Sequence, residues 1–154
     1  MITVAEFMTS DVLALSPQDS LFDAHRLMLD NNIRHVPVVD GEGGLLGLFT
    51  HRDLLALSDS ALLSETMAER QLREQKIPLA DVMKTRLEVV DEHCSLRLAA
   101  VRMQKHKYGC LPVVRGMQLV GIITDSDYVA IAINLLEQAE EAESIADDLI
   151  DDDI

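Results

Sequence analysis

The chain is poor in the groups that would commit it to several common functions. It has two cysteines, Cys94 and Cys110, without C-x-x-C spacing or a secretory context. That usage fits reduced thiols in a cytoplasmic protein rather than a disulfide framework. A chain of 154 residues buries about 68–70% of its unfolded surface, so it needs neither a disulfide nor a metal staple. No apolar run approaches the roughly 18 residues of a membrane span. The opening Met1–Glu6 has no basic region, so neither membrane insertion nor a signal peptide is expected. Bases are scarce, 13 against 27 acids, for a formal net charge of −14. A nucleic-acid or acidic-membrane surface needs clustered lysine and arginine, and this balance argues against both partners. Catalytic signatures are missing too: there is no H-E-x-x-H, G-x-S-x-G, P-loop or G-x-G-x-x-G. The five histidines (25, 35, 51, 93 and 106) share no metal-ligand spacing. The expectation is a protein that is not an enzyme and holds no metal.

What charge there is lies unevenly. From Glu137 to Ile154 there are nine acids and no base, leaving 18 acids against 13 bases, a net −5, for the first 136 residues. The body is mildly acidic and the tail supplies most of the imbalance. At 48% apolar and 26% charged, the body is globular rather than disordered.

An internal repeat organises the body. Residues 4–40 laid on 79–115 at an offset of 75 bring Ala5 onto Ala80, Met8 onto Met83, Ser20-Leu21 onto Ser95-Leu96 and Met28 onto Met103. Pro37-Val38-Val39 then falls on Pro112-Val113-Val114. With one residue dropped in the next turn, Gly47-x-x-Thr50-x-x-Asp53 meets Gly121-x-x-Thr124-x-x-Asp127. Each copy reads as a short apolar turn (Val4–Met8; Leu79–Met83), a β-rich run (Val12–Leu15; Leu87–Val90) and a helix with apolar residues at helical spacing. A hairpin with a glycine-bearing turn follows, then a second helix from His51 or Asp125. The fold class is α+β, two β-α-β-β-α units, each too small to bury its own sheet. Ser20-x-x-Asp23 resembles a capping box with Asp in the usual Glu place. The expected divisions are 1–57, a helical connector at 58–78, 79–136, and an acidic extension at 137–154. In the connector, Ser58-Asp59-Ser60 is read as the cap of a helix running to about Gln75, with Pro78 marking its end.

These residues resemble tandem CBS domains, the arrangement called a Bateman module. The marks are Val4-x-x-Phe7-Met8-Thr9, Asn32-Ile33-Arg34-His35-Val36-Pro37-Val38-Val39 and Gly47-Leu48-Phe49-Thr50-His51-Arg52-Asp53. They recur as Leu79-x-x-Val82-Met83-Lys84, Tyr108-Gly109-Cys110-Leu111-Pro112-Val113-Val114 and Gly121-Ile122-Ile123-Thr124-Asp125-Ser126-Asp127. The match covers roughly residues 2–136. The resemblance implies two repeats packed about a pseudo-twofold axis, with clefts between them that bind adenosyl nucleotides such as AMP, ADP or ATP. It implies a regulatory role toward a partner protein and dimerisation through the second helix of each repeat. It places Thr50 with Asp53, and Thr124 with Asp127, at phosphate and ribose. A carboxylate suits two vicinal hydroxyl donors, and a threonine just before a helix sits where free N–H groups favour a phosphate. Val12, Val36 and Pro37 are expected as adenine walls in one site, and Leu87, Leu111 and Pro112 in the other. The same Thr-x-x-Asp pairs can instead be helix caps alone, in which case the chain is a ligand-free interaction adaptor.

The copies differ where a phosphate would sit. Arg34, His35, His51 and Arg52 of the first are matched by Gly109, Cys110, Asp125 and Ser126 in the second. Guanidinium and imidazole donors suit phosphate and an added carboxylate repels it, so the expectation is two unequal sites. Arg34 or His35 can also serve the opposite cleft. In the tail, Tyr128, Ala132, Leu135, Ala139, Ala142, Ala146 and Leu149 form a heptad-like stripe. Acids without i,i+4 bases crowd the unfavourable end of the dipole, so the last helix is expected to end near Glu143.

Overall fold

Local signals account for most elements, and the turn, the first helix, the hairpin and the second helix each occur twice. The protein, seen in a computed structural model, is described over residues 1–59 and 65–151. A 3-10 turn at Val4–Glu6 leads to α1 (Leu21–Asn31), the hairpin β1 (His35–Val39) and β2 (Leu45–Thr50), and α2 (His51–Asp59). After α3 (Met67–Gln75) the second copy repeats the order: a turn at Leu79–Asp81, β3 (Val90–Asp91), α4 (Leu96–His106), β4 (Cys110–Arg115), β5 (Gln118–Thr124) and α5 (Asp125–Asp151). The capping box of α1 forms with Asp in the third position: Asp23 accepts from Ser20 N–H at 2.9 Å and returns its own N–H to Ser20 Oγ at 3.1 Å. Helix α1 buries Leu21, Ala24 and Met28, and α4 buries Leu96, Ala99 and Met103. Both helices end on a left-handed residue, Asn32 at φ 52° and Lys107 at φ 57°.

The β-rich runs before each first helix are shorter than expected. Of Val12–Leu15 only Leu15 pairs, parallel to β1: its N–H reaches Pro37 O at 3.0 Å and its carbonyl accepts from Val39 N–H at 2.8 Å. The next bond of that ladder would come from the N–H of residue 37, which proline lacks. Pro112 imposes the same stop in the copy, where only Val90 and Asp91 pair with β4.

Each repeat completes the other's core. Val4 is buried with Val90, Ala99, Leu111 and Ile123, while Leu79 is buried with Leu21, Ala24, Val36 and Phe49. The segment after each turn then adds to the opposite sheet. Thr9 and Ile122 exchange hydrogen bonds of 2.9 and 3.0 Å, and Lys84 and Leu48 exchange two of 2.9 Å. The repeat glycines make this approach possible: a β-carbon on Gly47 would stand 2.5 Å from Met83 Sδ and 2.9 Å from Lys84 O, and one on Gly121 would collide with Met8 Sδ. The hairpin tips also pair, Leu45 N–H to Met117 O and Leu119 N–H to Gly43 O. The result is two repeats about a pseudo-twofold axis.

Two helix boundaries differ from expectation. Ser58 does not open the connector helix: it lies within α2, and its hydroxyl donates back to Leu54 O at 3.0 Å. Ser60 lies outside the described residues. The connector helix begins later, at Thr66, whose Oγ1 accepts from Glu69 N–H. It ends at Gln75 and is pinned to α1 through buried Glu74, which meets His25 Nδ1 at 3.1 Å. Helix α5 does not end near Glu143 but continues to Asp151. Ala, Glu, Leu and Ile are good to moderate helix formers and no Gly or Pro interrupts them; an exposed, screened dipole penalty is too small to stop the helix. Residues 152–154 of the acidic extension lie outside the described residues. No described helix is long and apolar enough to cross a membrane.

Candidate ligand clefts between the repeats

The two Thr-x-x-Asp motifs stand at matching strand-to-helix junctions, and both pairs are internally bonded. Asp53 Oδ2 accepts from Thr50 N–H and Thr50 Oγ1, each at 2.9 Å, and the Asp53 N–H reaches Thr50 Oγ1 at 3.2 Å. The second pair repeats this with 2.8, 3.2 and 3.4 Å. These are complete capping boxes for α2 and α5. They differ at the second carboxylate oxygen. Asp53 Oδ1 is paired with Lys84 Nζ at 3.3 Å, because the Lys84–Leu48 backbone pairing carries that lysine onto the opposite repeat. The residue matching Lys84 in the first repeat is Thr9, which brings no charge to Asp127.

Two clefts open at the junctions. The first, about 570 Å³, is lined by Thr50, with Leu48, Leu87 and Tyr108 among its apolar walls. Five permanent cations line it: Arg34, Arg52, Lys84, Arg86 and Lys107; Glu88 and Asp125 oppose them. The second, about 400 Å³, contains Thr124, Val12 and Ile122, with Arg34 facing Asp11 and Asp125. Arg34, His35 and Asp125 line both clefts, so they mark the place where the clefts meet. The adenine-wall residues therefore divide across the repeats: Leu87 of the second repeat shares a cleft with Thr50 of the first, and Val12 shares one with Thr124. Val36, Pro37, Leu111 and Pro112 are fully buried in the sheets and do not line either cleft. Asp53 does not line the first cleft nor Asp127 the second; Asp127 instead lines a separate groove of about 340 Å³ beside Phe7 and α5.

The junction of the clefts is electrostatically tense. Burial holds His35 below its ordinary range, with Arg34 and Lys84 adding to the effect and Asp125 opposing it. Burial pushes the Cys110 thiol up to about 12, and Asp125 adds to that rise. His35 therefore faces the clefts as a neutral donor or acceptor near pH 7, and Cys110 as an unionised apolar group. Among the described residues no cluster of three His, Cys, Asp or Glu side chains is arranged to hold a metal. Arg86 and Asp11 lie outside the recurring motifs, and Lys84 closes one of them without a site role assigned to it. Lys84 was findable in principle, since the repeat sets it opposite Thr9, but its role depends on the exchange of segments.

A model of the CBS domain matches residues 4–60 and 79–133. The chain belongs to the CBS domain family. A solved structure from Vibrio cholerae, described as a candidate acetoin utilization protein (AcuB), is 46% identical; the match covers 92% of this chain and 97% of that one, with a TM-score of 0.77. CBSX2, an Arabidopsis thaliana CBS-pair protein solved in complex with AMP, is 28% identical over 88% of this chain and 98% of its own, with a TM-score of 0.73. The Bacillus subtilis CBS domain-containing protein YhcV is 34% identical over 127 residues, 82% of this chain and 83% of its own. Two curated relatives are much longer. The chain spans 42% of a Thermofilum pendens protein from a ribosomal RNA operon and 33% of a Methanocaldococcus jannaschii protein. CBS pairs thus occur both nearly alone and as parts of larger chains.

Proposed function

We propose that this CBS pair is a cytoplasmic regulatory module that binds an adenosyl nucleotide (AMP, ADP or ATP) and signals to a partner protein. One observation carries the reading: a cleft of about 570 Å³ between the repeats has apolar walls, five permanent cations and the N-terminus of α2 among its lining. That volume lies in the usual range for small-molecule sites. Guanidinium and ammonium groups beside a helix N-terminus suit a phosphate. The AMP complex of CBSX2, 28% identical, supports an adenine nucleotide as the ligand class. Such a ligand lies between elements of both repeats, so closing on it changes their relative stability; a ligand regulates by binding two conformations unequally. The Lys84–Asp53 pair offers a route. Lys84 lines the cleft, so a bound phosphate draws it away from Asp53, and Lys84 sits on the segment that joins the repeats. The module acts as a homodimer, with α2 and α5 at the interface.

The second reading is a ligand-free interaction adaptor. It is favoured by the capping boxes, which satisfy Thr50, Asp53, Thr124 and Asp127 without a ligand. Calorimetric titration of AMP, ADP and ATP into wild type, Asp53→Ala and Asp127→Ala separates the two. The nucleotide reading expects binding to wild type and a larger loss from Asp53→Ala. Equal losses would remove the inequality of the sites. No heat and no thermal shift with these nucleotides, S-adenosylmethionine or NAD would leave the adaptor. Pull-down with and without the bound nucleotide then identifies the regulated protein.

A further inference from the structure

We propose that Asp125 acts as an internal substitute for phosphate, excluding phosphorylated ligands from the second cleft and leaving it for an uncharged adenosyl ligand. The inference rests on the nucleotide reading of the clefts and adds a determinant of what each one accepts.

The clefts would be equivalent if the repeats were identical, and the departure is concentrated at the first turn of the second helix. His51 and Arg52 open α2, whereas Asp125 and Ser126 open α5. At the start of a helix, unpaired N–H groups and the positive end of the dipole invite an anion. In α5 that invitation is already taken: Asp125 Oδ1 accepts from the Ser126 N–H at 2.8 Å. Among the described residues no side chain caps the matching N–H of Arg52 in α2. One cleft therefore presents an uncapped donor beside a cation, and the other presents the same donor covered by a carboxylate.

The surroundings do not offset that charge. In the second cleft Arg34 alone faces Asp11 and Asp125, while the first sets five permanent cations against two carboxylates. Arg34 is common to both, so a phosphate bound in the first cleft draws on the one cation of the second. His35 cannot compensate as a cation, because burial keeps it neutral. His35 Nε2 and Asp125 Oδ2 both stand beside Gly109, 3.0 and 3.9 Å from where its β-carbon would be, so the exposed Asp125 carboxylate sits at the junction of the clefts. The apolar wall contributed by Val12 and Ile122 remains available to a purine.

Calorimetry on wild type, Asp125→Asn and Asp125→His decides the matter, with folding of each variant checked by circular dichroism. Asn keeps the shape and removes the charge; His restores the group found at position 51. The expected result is one AMP per wild-type chain and two per chain in both variants, the second at least tenfold tighter than any second event in wild type. Adenosine titrated into AMP-saturated wild type is expected to show a further binding event. Two AMP bound by wild type, or one AMP in all three proteins, would overturn the role of Asp125. Absence of the adenosine event would overturn the ligand class. Failure of all three to bind AMP would overturn the nucleotide reading, and this inference with it.

Discussion

A single methyl group at Gly47 tests whether the exchange of segments holds the repeats together. A β-carbon there would meet Met83 Sδ at 2.5 Å and Lys84 O at 2.9 Å. The methionine is flexible and can swing away. The Lys84 carbonyl cannot, because Lys84 and Leu48 exchange two 2.9 Å backbone hydrogen bonds. Gly47→Ala must therefore either compress the contact or loosen that pair. Overpacking costs about 1–3 kcal/mol, and each weakened backbone bond removes up to about 0.5–1.5 kcal/mol. The expected loss is about 3 kcal/mol, a large fraction of the roughly 5–15 kcal/mol that holds a domain together. For an m-value near 2 kcal/mol/M, the urea midpoint falls by roughly 1.5 M. Gly41→Ala is the control, since nothing lies within 4 Å of its added carbon and its φ is ordinary; it should change stability by less than about 0.5 kcal/mol. Because the displaced segment carries Lys84, a cation lining the first cleft, AMP affinity should fall together with stability. A Gly47→Ala protein as stable as the Gly41→Ala control would refute the argument that this contact sets the residue.

Lys107→Asn should stabilise the chain by about 0.5–1 kcal/mol, read as a higher urea midpoint, because lysine is held at φ 57° where asparagine is better tolerated; a lower midpoint would contradict this. His25→Phe strands the carboxylate of Glu74, which is only 2% exposed, and should cost about 2–3 kcal/mol; Glu74→Leu in the same chain should recover part of it, and strict additivity in that double-mutant cycle would show no coupling. His35 has a pKa held below its ordinary 6.5, so as pH falls through 6.5 the unfolded chain takes up a proton that the folded chain refuses until lower pH. Stability present above pH 6.5 is therefore lost on acidification toward the folded pKa, and His35→Gln should flatten urea midpoints measured from pH 8 to pH 5; an unchanged slope would show that His35 is not the group responsible.

The legible and illegible features separate by range. Features within a few residues were readable: the Ser20–Asp23 box, the two hairpins, the start of α2 after Thr50 and of α5 after Thr124. So was the duplication, because Pro-Val-Val and Gly-x-x-Thr-x-x-Asp recur in order. Three elements depart from expectation for local reasons. Pro37 and Pro112 end the parallel ladders early, Thr66 rather than Ser58 caps the connector helix, and uninterrupted helix formers carry α5 past Glu143 to Asp151.

The amino-acid order by itself determined the α+β class, the two-repeat plan and the placement of a threonine and an aspartate at each strand-to-helix junction. These follow from hydrophobic period, turn chemistry and capping, which act over spans of a few residues. Only the tertiary structure decided which residues share a cleft. Each repeat lends its leading turn to the other's core, so Lys84 meets Asp53, Leu87 faces Thr50 and Val12 faces Thr124. Nothing local requires that exchange. It arises because neither half-sheet can bury its apolar face alone, and the cheapest surface available to cover it belongs to the other copy. The scarcity of bases is resolved in the same way. Thirteen cations among 154 residues argue against a polyanion partner, but the fold gathers five of them around one cleft, enough for a small phosphorylated ligand.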